Sequence, residues 1–197
     1  MTTPPNTEGT ETIIALEIFP DSYRVANMKE PRPVTATLDI NLLFDKALNR
    51  QEASEFDQIV ALAQQGKLKL FFTLISDVED RSGAAMEVAI RLLMDGTLSE
   101  DPLAGAPREF MPYGPGGCSK DDPPYHVLLR ALWPKASFMS KSMTNKENAI
   151  LSLQNHVRNG RDIFLTRDEE ILKKRDILKR NFGIMVLPPK ELLSSLK

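Results

Sequence analysis

The stretch NGRDIFLTRDEEILKKR, residues 159–175, carries the plainest structural signal in the chain. Ile163, Phe164, Leu165 and Thr166 form a run too short for a buried helix, bounded by Gly160 on one side and charged residues on the other, and such a run reads as a strand. The next segment sets Ile171, Ile177 and Leu178 among Lys173, Lys174, Arg175 and Lys179, a helical stripe that ends before Gly183. Asp168 therefore stands where a strand gives way to a helix. In an open α/β sheet the carboxyl ends of parallel strands line the crevice that takes ligands. An Asp at such a place is also the ordinary helix N-cap, so the rest of the chain has to show whether it does chemistry.

The same junction recurs upstream. VTATLDINLLFDKAL (34–48) runs from β-branched residues into a leucine-rich segment with Asp39 at the hinge. Residues 50–65 place Ala53, Phe56, Ile59, Val60 and Ala63 on one helical face, with Gly66 as the stop. KLKLFFTLIS (67–76) has the continuous apolar centre of a strand covered on both faces, and Asp77, Glu79 and Asp80 come directly after it. A helix is expected over 84–96. Residues 97–125, dense in Pro and Gly, read as an insertion without regular structure. A short helix over 125–133 ends at Pro134, and Thr144 with Glu147 forms a capping box for a helix from about Asn145 to Asn159. GIMVL is the last strand, and Pro188 and Pro189 open a terminal helix. Strands alternating with helices favour parallel pairing through right-handed crossovers, hence a three-layer α/β/α sandwich with a mostly parallel central sheet.

A chain of 197 residues, 42% hydrophobic, supports one well-buried domain over 34–197. Residues 1–33 read as an N-terminal extension, in which TIIALEIF and SYRVANM form an edge hairpin or a strand with an irregular return. Twenty-five basic against 27 acidic residues give a net charge of -2, without the global basic signature of a nucleic-acid binder. The single cysteine excludes an intrachain disulfide framework, and two histidines with it make no zinc spacing. With no basic N-terminal leader and no apolar run near the ~20 residues that span a bilayer, a soluble, cytoplasmic protein without a membrane partner is expected. Glycine-rich phosphate loops and the nucleophile-elbow motif are absent from the sequence.

Three acidic positions share one structural address: Asp39, the Asp77/Glu79/Asp80 group, and Asp168. Carboxylates gathered at one sheet edge raise each other's pKa unless a cation neutralises them, and oxygen-only clusters suit Mg²⁺ or Mn²⁺. His156 reads as a packed or surface residue, the basic run Lys173, Lys174, Arg175, Lys179 and Arg180 as a solvated face, and Met86, Met94 and Met111 as core filling. Cys118 lies in a Gly-rich stretch without an activating base in sequence.

These segments resemble PIN-domain nucleases. TLDINLLFD (37–45) is similar to that family's opening strand and first acid, including D-x-N at Asp39 and Asn41; NGRDIFLTRDEEIL (159–172) is similar to its closing G-x-D-x-F-x-T-x-D signature; and FGIMVLPPKELL (182–193) is similar to its final strand and helix. The resemblance implies a ribonuclease in which strand-end acids hold Mg²⁺ or Mn²⁺, and the ion activates water for attack on an RNA phosphodiester. By position it implies Asp39 and Asp168 as ligands, supported by hydrogen bonds from Asn41 and Thr166, with Asp162 a structural acid. The second acid falls on Glu79, with Asp77 and Asp80 in reserve. At the third acidic position stands Asn148, or Asn145, with Glu147 able to substitute only on a rotated helix. An amide oxygen brings no negative charge, so a weakly active or inactive domain that binds RNA or a protein partner is the alternative. A protein inhibitor or a homo-oligomer is a further partner class for this family.

Overall fold

The computed structural model describes residues 32–73, 83–101, 123–134 and 143–196. Five strands form one sheet: β1 (Val34–Leu38), β2 (Leu68–Thr73), β3 (Leu98–Asp101), β4 (Ile163–Leu165) and β5 (Val186–Leu187). Their order is β3-β2-β1-β4-β5 and every pairing is parallel. The helices are α1 (Ile40–Ala47), α2 (Ala53–Gln64), α3 (Ala84–Met94), α4 (Pro123–Leu132), α5 (Met143–Arg158), α6 (Glu169–Leu172), α7 (Arg175–Phe182) and α8 (Pro189–Ser195).

Strand alternation divides the core into two. Ala36 and Leu38 of β1, Leu68, Leu70 and Phe72 of β2, and Ile163 and Leu165 of β4 turn to one face, where they pack with Leu42 and Leu43 of α1, Phe56 and Ile59 of α2, Val88 of α3 and Leu192 of α8. Phe164 and Val186 turn to the other face and join Leu128 of α4, Ile150, Leu153 and Val157 of α5, Ile171 of α6 and Leu178 of α7. Each such side chain contributes about 1.5–3 kcal/mol when fully buried, which is why the sheet is covered on both faces. The architecture is the expected three-layer α/β/α sandwich, with an all-parallel sheet.

The helix stops fall where the glycines stand. Gly160 and Gly183 adopt φ 58° and 69°, a left-handed backbone that frees the last carbonyls for capping bonds such as Ile184 N–H to Leu178 O at 3.2 Å.

Three expectations need correction. Regular structure does not fade after residue 96: LSED (98–101) is strand β3, paired in register with Leu70–Thr73, and α4 already begins at Pro123. Ser, Glu and Asp have low strand propensity, and it is the parallel partner β2 that sets the conformation of this edge strand. The stripe after Asp168 is two helices, because the chain turns at Lys173 and Lys174 between α6 and α7; Ile171 and Leu178 still reach the same core. Met94, the last residue of α3, is 84% exposed and fills no core. The N-terminal segment, Met111 and Cys118 lie outside the described residues.

Candidate active site at the strand-order switch

The order 3-2-1-4-5 reverses direction at β1: the chain moves outward through β2 and β3, then returns to place β4 on β1's other side. Crossovers on either side of β1 and β4 diverge there and leave a crevice beyond the carboxyl ends of the two strands. Asp39 is the residue after β1, and its N–H bonds Leu165 O at 2.9 Å, tying the end of β1 to the end of β4. Thr166 and Asp168 come directly after β4. The two acids are thus brought to one crevice by strand pairing across more than half the chain.

Side-chain bonds fix the arrangement. Thr166 Oγ1 donates to Asp39 Oδ2 and accepts from Asp168 N–H at 3.0 Å. Asn41 Nδ2 donates to Asp39 Oδ2 at 3.0 Å and to Thr166 Oγ1 at 3.1 Å, while its Oδ1 accepts from Arg167 N–H at 3.3 Å. Asp168 is a helix N-cap as well as a wall of the crevice: its Oδ1 accepts from the N–H groups of Glu170 at 2.7 Å and Ile171 at 3.3 Å. The cap holds the carboxylate in place and leaves its other oxygen uncommitted to α6. Trp133 steadies the same helix, donating from Nε1 to Glu170 Oε2 at 2.6 Å.

Asp39 and Asp168 share a pocket of about 230 Å³. Its walls are Ile40, Asn41 and Phe44 of α1, Phe72 and Thr73 of β2, and Asn148, Ala149 and Ser152 of α5. No basic side chain lines it among the described residues. The Asp39 carboxyl is pushed up from its ordinary 3.8 to about 6, by burial first and further by the negative charge of Asp168, against the opposing hydrogen bond from Thr166. The guanidinium of Arg167 is engaged by Asp45 at 2.9 Å and Glu52 at 3.0 Å, and with Arg50 it lines a neighbouring cavity on the other side of Asn41 and Asp168.

The other acids and amides separate cleanly. Asp162 lies at the opposite end of the sheet, where Oδ2 accepts from Thr35 N–H at 2.8 Å and Thr35 Oγ1 at 2.7 Å and Oδ1 takes Arg32 at 2.7 Å; it is structural. Glu147 is not a pocket wall, and its charge acts on Tyr125 of α4, whose hydroxyl is pushed up to about 12 by burial and by Glu147. The α5 helix therefore turns Asn148 toward the crevice and Glu147 away. Asp77, Glu79 and Asp80 lie outside the described residues, as does the side chain of Asn145.

Sequence reasoning named Asn148 but missed the polar face of α5 to which it belongs, with Ser152 and Asn155. Asn148, Ser152 and Asn155 recur at helical spacing and are all buried, Asn155 Nδ2 donating to Thr73 Oγ1 at 3.0 Å. His156, beside them, faces Thr37 Oγ1 at 3.0 Å and meets Phe164 edge-on; burial first, then Arg161, pushes its pKa down to about 3, so it is a neutral structural residue. The signal was present as a run of polar residues at i, i+4 and i+7 on a helix that has no solvent face there. Also missed was the buried Asp45, which pairs with Arg50 at 3.1 Å and with Arg167.

The donor set is built from oxygen. Two carboxylates, one with a raised proton affinity, in a pocket that no basic side chain lines among the described residues suit a hard divalent ion, since Mg²⁺ is commonly held through one or two carboxylates with water completing its shell. Among the described residues no group of three or more His, Cys, Asp or Glu side chains is placed to hold a metal. No helix among the described residues is long and apolar enough to cross a membrane. No protein-family model, no curated protein and no solved structure matches the chain.

Proposed function

We propose that this chain is a metal-dependent ribonuclease of the PIN type. The observation that carries the reading is the convergence of Asp39 and Asp168 on one pocket at the strand-order switch, lined by no basic side chain among the described residues, with the Asp39 carboxyl raised to about 6. A carboxyl in a crevice whose pKa is raised by burial and by a specific neighbouring charge is a candidate functional group. Asp39 and Asp168 would hold Mg²⁺ or Mn²⁺, Glu79 would add a further carboxylate with Asp77 or Asp80 in reserve, and Asn148 stands at the third acidic position. The ion supplies activation of water at neutral pH and offsets charge developing at phosphorus. The chain's own part is orientation: Asn41 and Thr166 fix the Asp39 carboxylate, the α6 N-terminus fixes that of Asp168, and Arg167 ties the turn between them to Asp45.

A second reading, a weakly active or inactive domain that binds RNA or a protein, is favoured by one observation: the amide of Asn148 where the resemblance calls for an acid. Cleavage of a mixed single-stranded RNA in Mn²⁺, Mg²⁺ or EDTA, beside Asp39→Asn and Asp168→Asn, separates the two. Metal-dependent cleavage lost in both variants supports the nuclease; wild-type protein that neither cleaves above the variants nor binds Mn²⁺ leaves the binding module.

A further inference from the structure

Asn148 carries an unmet hydrogen-bonding need. The residue is 7% exposed, it lines the pocket, and its Nδ2 has no partner among the described residues. A buried amide N–H without an acceptor forfeits its hydration and gains nothing in return, so a side chain held there is complete only when a ligand supplies one. A second donor stands on the β2 wall. Thr73, 2% exposed at the end of β2, accepts from Asn155 Nδ2 at 3.0 Å, which leaves its own hydroxyl proton to donate.

The remaining surroundings restrict what that ligand is. Phe44 and Phe72 give the pocket an apolar side, and Asp39 and Asp168 give it a negative one. A group seated against α5 and β2 therefore needs acceptor atoms toward the two donors, a flat apolar body toward the phenylalanines, and no negative charge of its own. A phosphate meets the first need and fails the other two. A nucleobase with carbonyl oxygens meets all three. The volume of about 230 Å³ is below the ~300–1,000 Å³ of pockets that take drug-sized ligands, which suits one base and no base pair. Uracil, with two carbonyl oxygens for two donors, matches best; adenine has no carbonyl to offer.

We propose that the α5 wall of the pocket is a base-reading subsite, in which Asn148 Nδ2, with Thr73 Oγ1 beside it, donates to a carbonyl of an unpaired uracil in RNA. This rests on RNA being the substrate or ligand of the site, and it assigns Asn148 to the base instead of the metal. The two roles differ in sign under one substitution. An acid at a metal position tightens the ion, whereas an acid at a base-reading position removes both N–H donors and sets a charge against the carbonyl.

The test uses the full chain in EDTA, with binding of fluorescently labelled oligo(U) and oligo(A) followed by anisotropy, and Mn²⁺ binding followed separately by calorimetry. Wild-type protein should prefer oligo(U) by about tenfold, the worth of one hydrogen bond at ~1.4 kcal/mol. Asn148→Ala should remove that preference while leaving oligo(A) and Mn²⁺ affinities within about twofold, and Asn148→Asp should weaken oligo(U) further. Asn148→Ser serves as a small polar control, and unfolding curves for all three variants keep folding apart from binding. Equal binding of the two oligonucleotides, or none of either, overturns the subsite. So does Asn148→Asp if it tightens Mn²⁺ and raises cleavage with the oligo(U) preference intact. A protein that shows the Asn148-dependent preference but never cleaves and never binds Mn²⁺ keeps the subsite and sinks the nuclease; one that cleaves with Mn²⁺ and reads no base does the reverse.

Discussion

Asp39 and Asp45 sit at the two ends of one helix and live under opposite electrostatics. Asp45, 5% exposed, takes a guanidinium on each oxygen, Arg50 at 3.1 Å and Arg167 at 2.9 Å. Asp39, one residue before α1, takes a hydroxyl and an amide and faces another carboxylate. Both bond to the turn after β4, Asp39 through Thr166 and Asp45 through Arg167. A buried acid balanced by cations is scaffold, and its loss leaves stranded charge behind. One left unbalanced keeps its need for positive charge available to something that arrives from outside, at a standing cost to stability. The difference between the two is the clearest physical sign of which acid does work on a ligand.

The largest effect expected from that contrast is on chemistry. Asp39→Asn or Asp168→Asn should lower Mn²⁺-dependent RNA cleavage by at least about 10²-fold, the scale seen when one preorganised electrostatic group is lost. Rates from a time course on single-stranded RNA decide it, and a variant that retains wild-type cleavage would remove that acid from the site.

Stability should move in opposite directions at the two acids. Asp45→Ala takes a carboxylate from two partly exposed guanidiniums, of which Arg167 keeps Glu52, and should cost about 2 kcal/mol, or several degrees in melting temperature for a domain of this size. Asp39→Asn should stabilise the metal-free protein at pH 7 by about 2 kcal/mol. The sign follows from the proton: a carboxyl raised from 3.8 to about 6 binds its proton more tightly in the folded chain, so its contribution is present at low pH and lost as pH climbs through 6. Urea unfolding in EDTA reads both variants, and an Asp39→Asn chain less stable than wild type would refute the shortage of charge.

The same raised carboxyl makes cation binding a competition with a proton. Apparent Mn²⁺ affinity should rise by up to about tenfold per pH unit below the raised Asp39 pKa of about 6 and level off above it. Calorimetry across that range would show a flat profile if Asp39 were not a ligand. The smallest effect belongs to the far end of the sheet. Asp162→Asn keeps acceptors for Thr35 but gives up charge toward Arg32, in a setting where the carboxylate side chain is 29% exposed, and should cost about 1 kcal/mol in thermal unfolding with cleavage unaltered.

Several parts of the molecule were readable from local pattern because local physics sets them. The hinges at Asp39 and Asp168, the stops at Gly160 and Gly183 and the proline-opened α8 each depend on a few neighbouring residues, and each stands where its residues imply. Asn41 and Thr166 were legible as supports for Asp39 through the resemblance, and the structure joins them to it directly. Edge strand β3 was not legible, because its residues resist a strand and only β2 recruits them. The ion pair of Asp45 with Arg167 was hidden by its 122-residue separation.

By itself the chain determined the alternation of strands and helices, the parallel sheet, and the placing of acids after strands, all properties carried by short windows of hydrophobic period and capping residues. Tertiary structure alone decided which acids meet. Strand order set β1 beside β4 and so Asp39 beside Asp168, while sending Asp162 to the opposite end of the sheet. The rotation of α5 turned Asn148 inward and Glu147 out. Burial then raised one carboxyl and paired another. Those outcomes depend on contacts between residues far apart in the chain, and charge, unlike hydrophobic period, acquires its meaning only from what lies within a few ångströms.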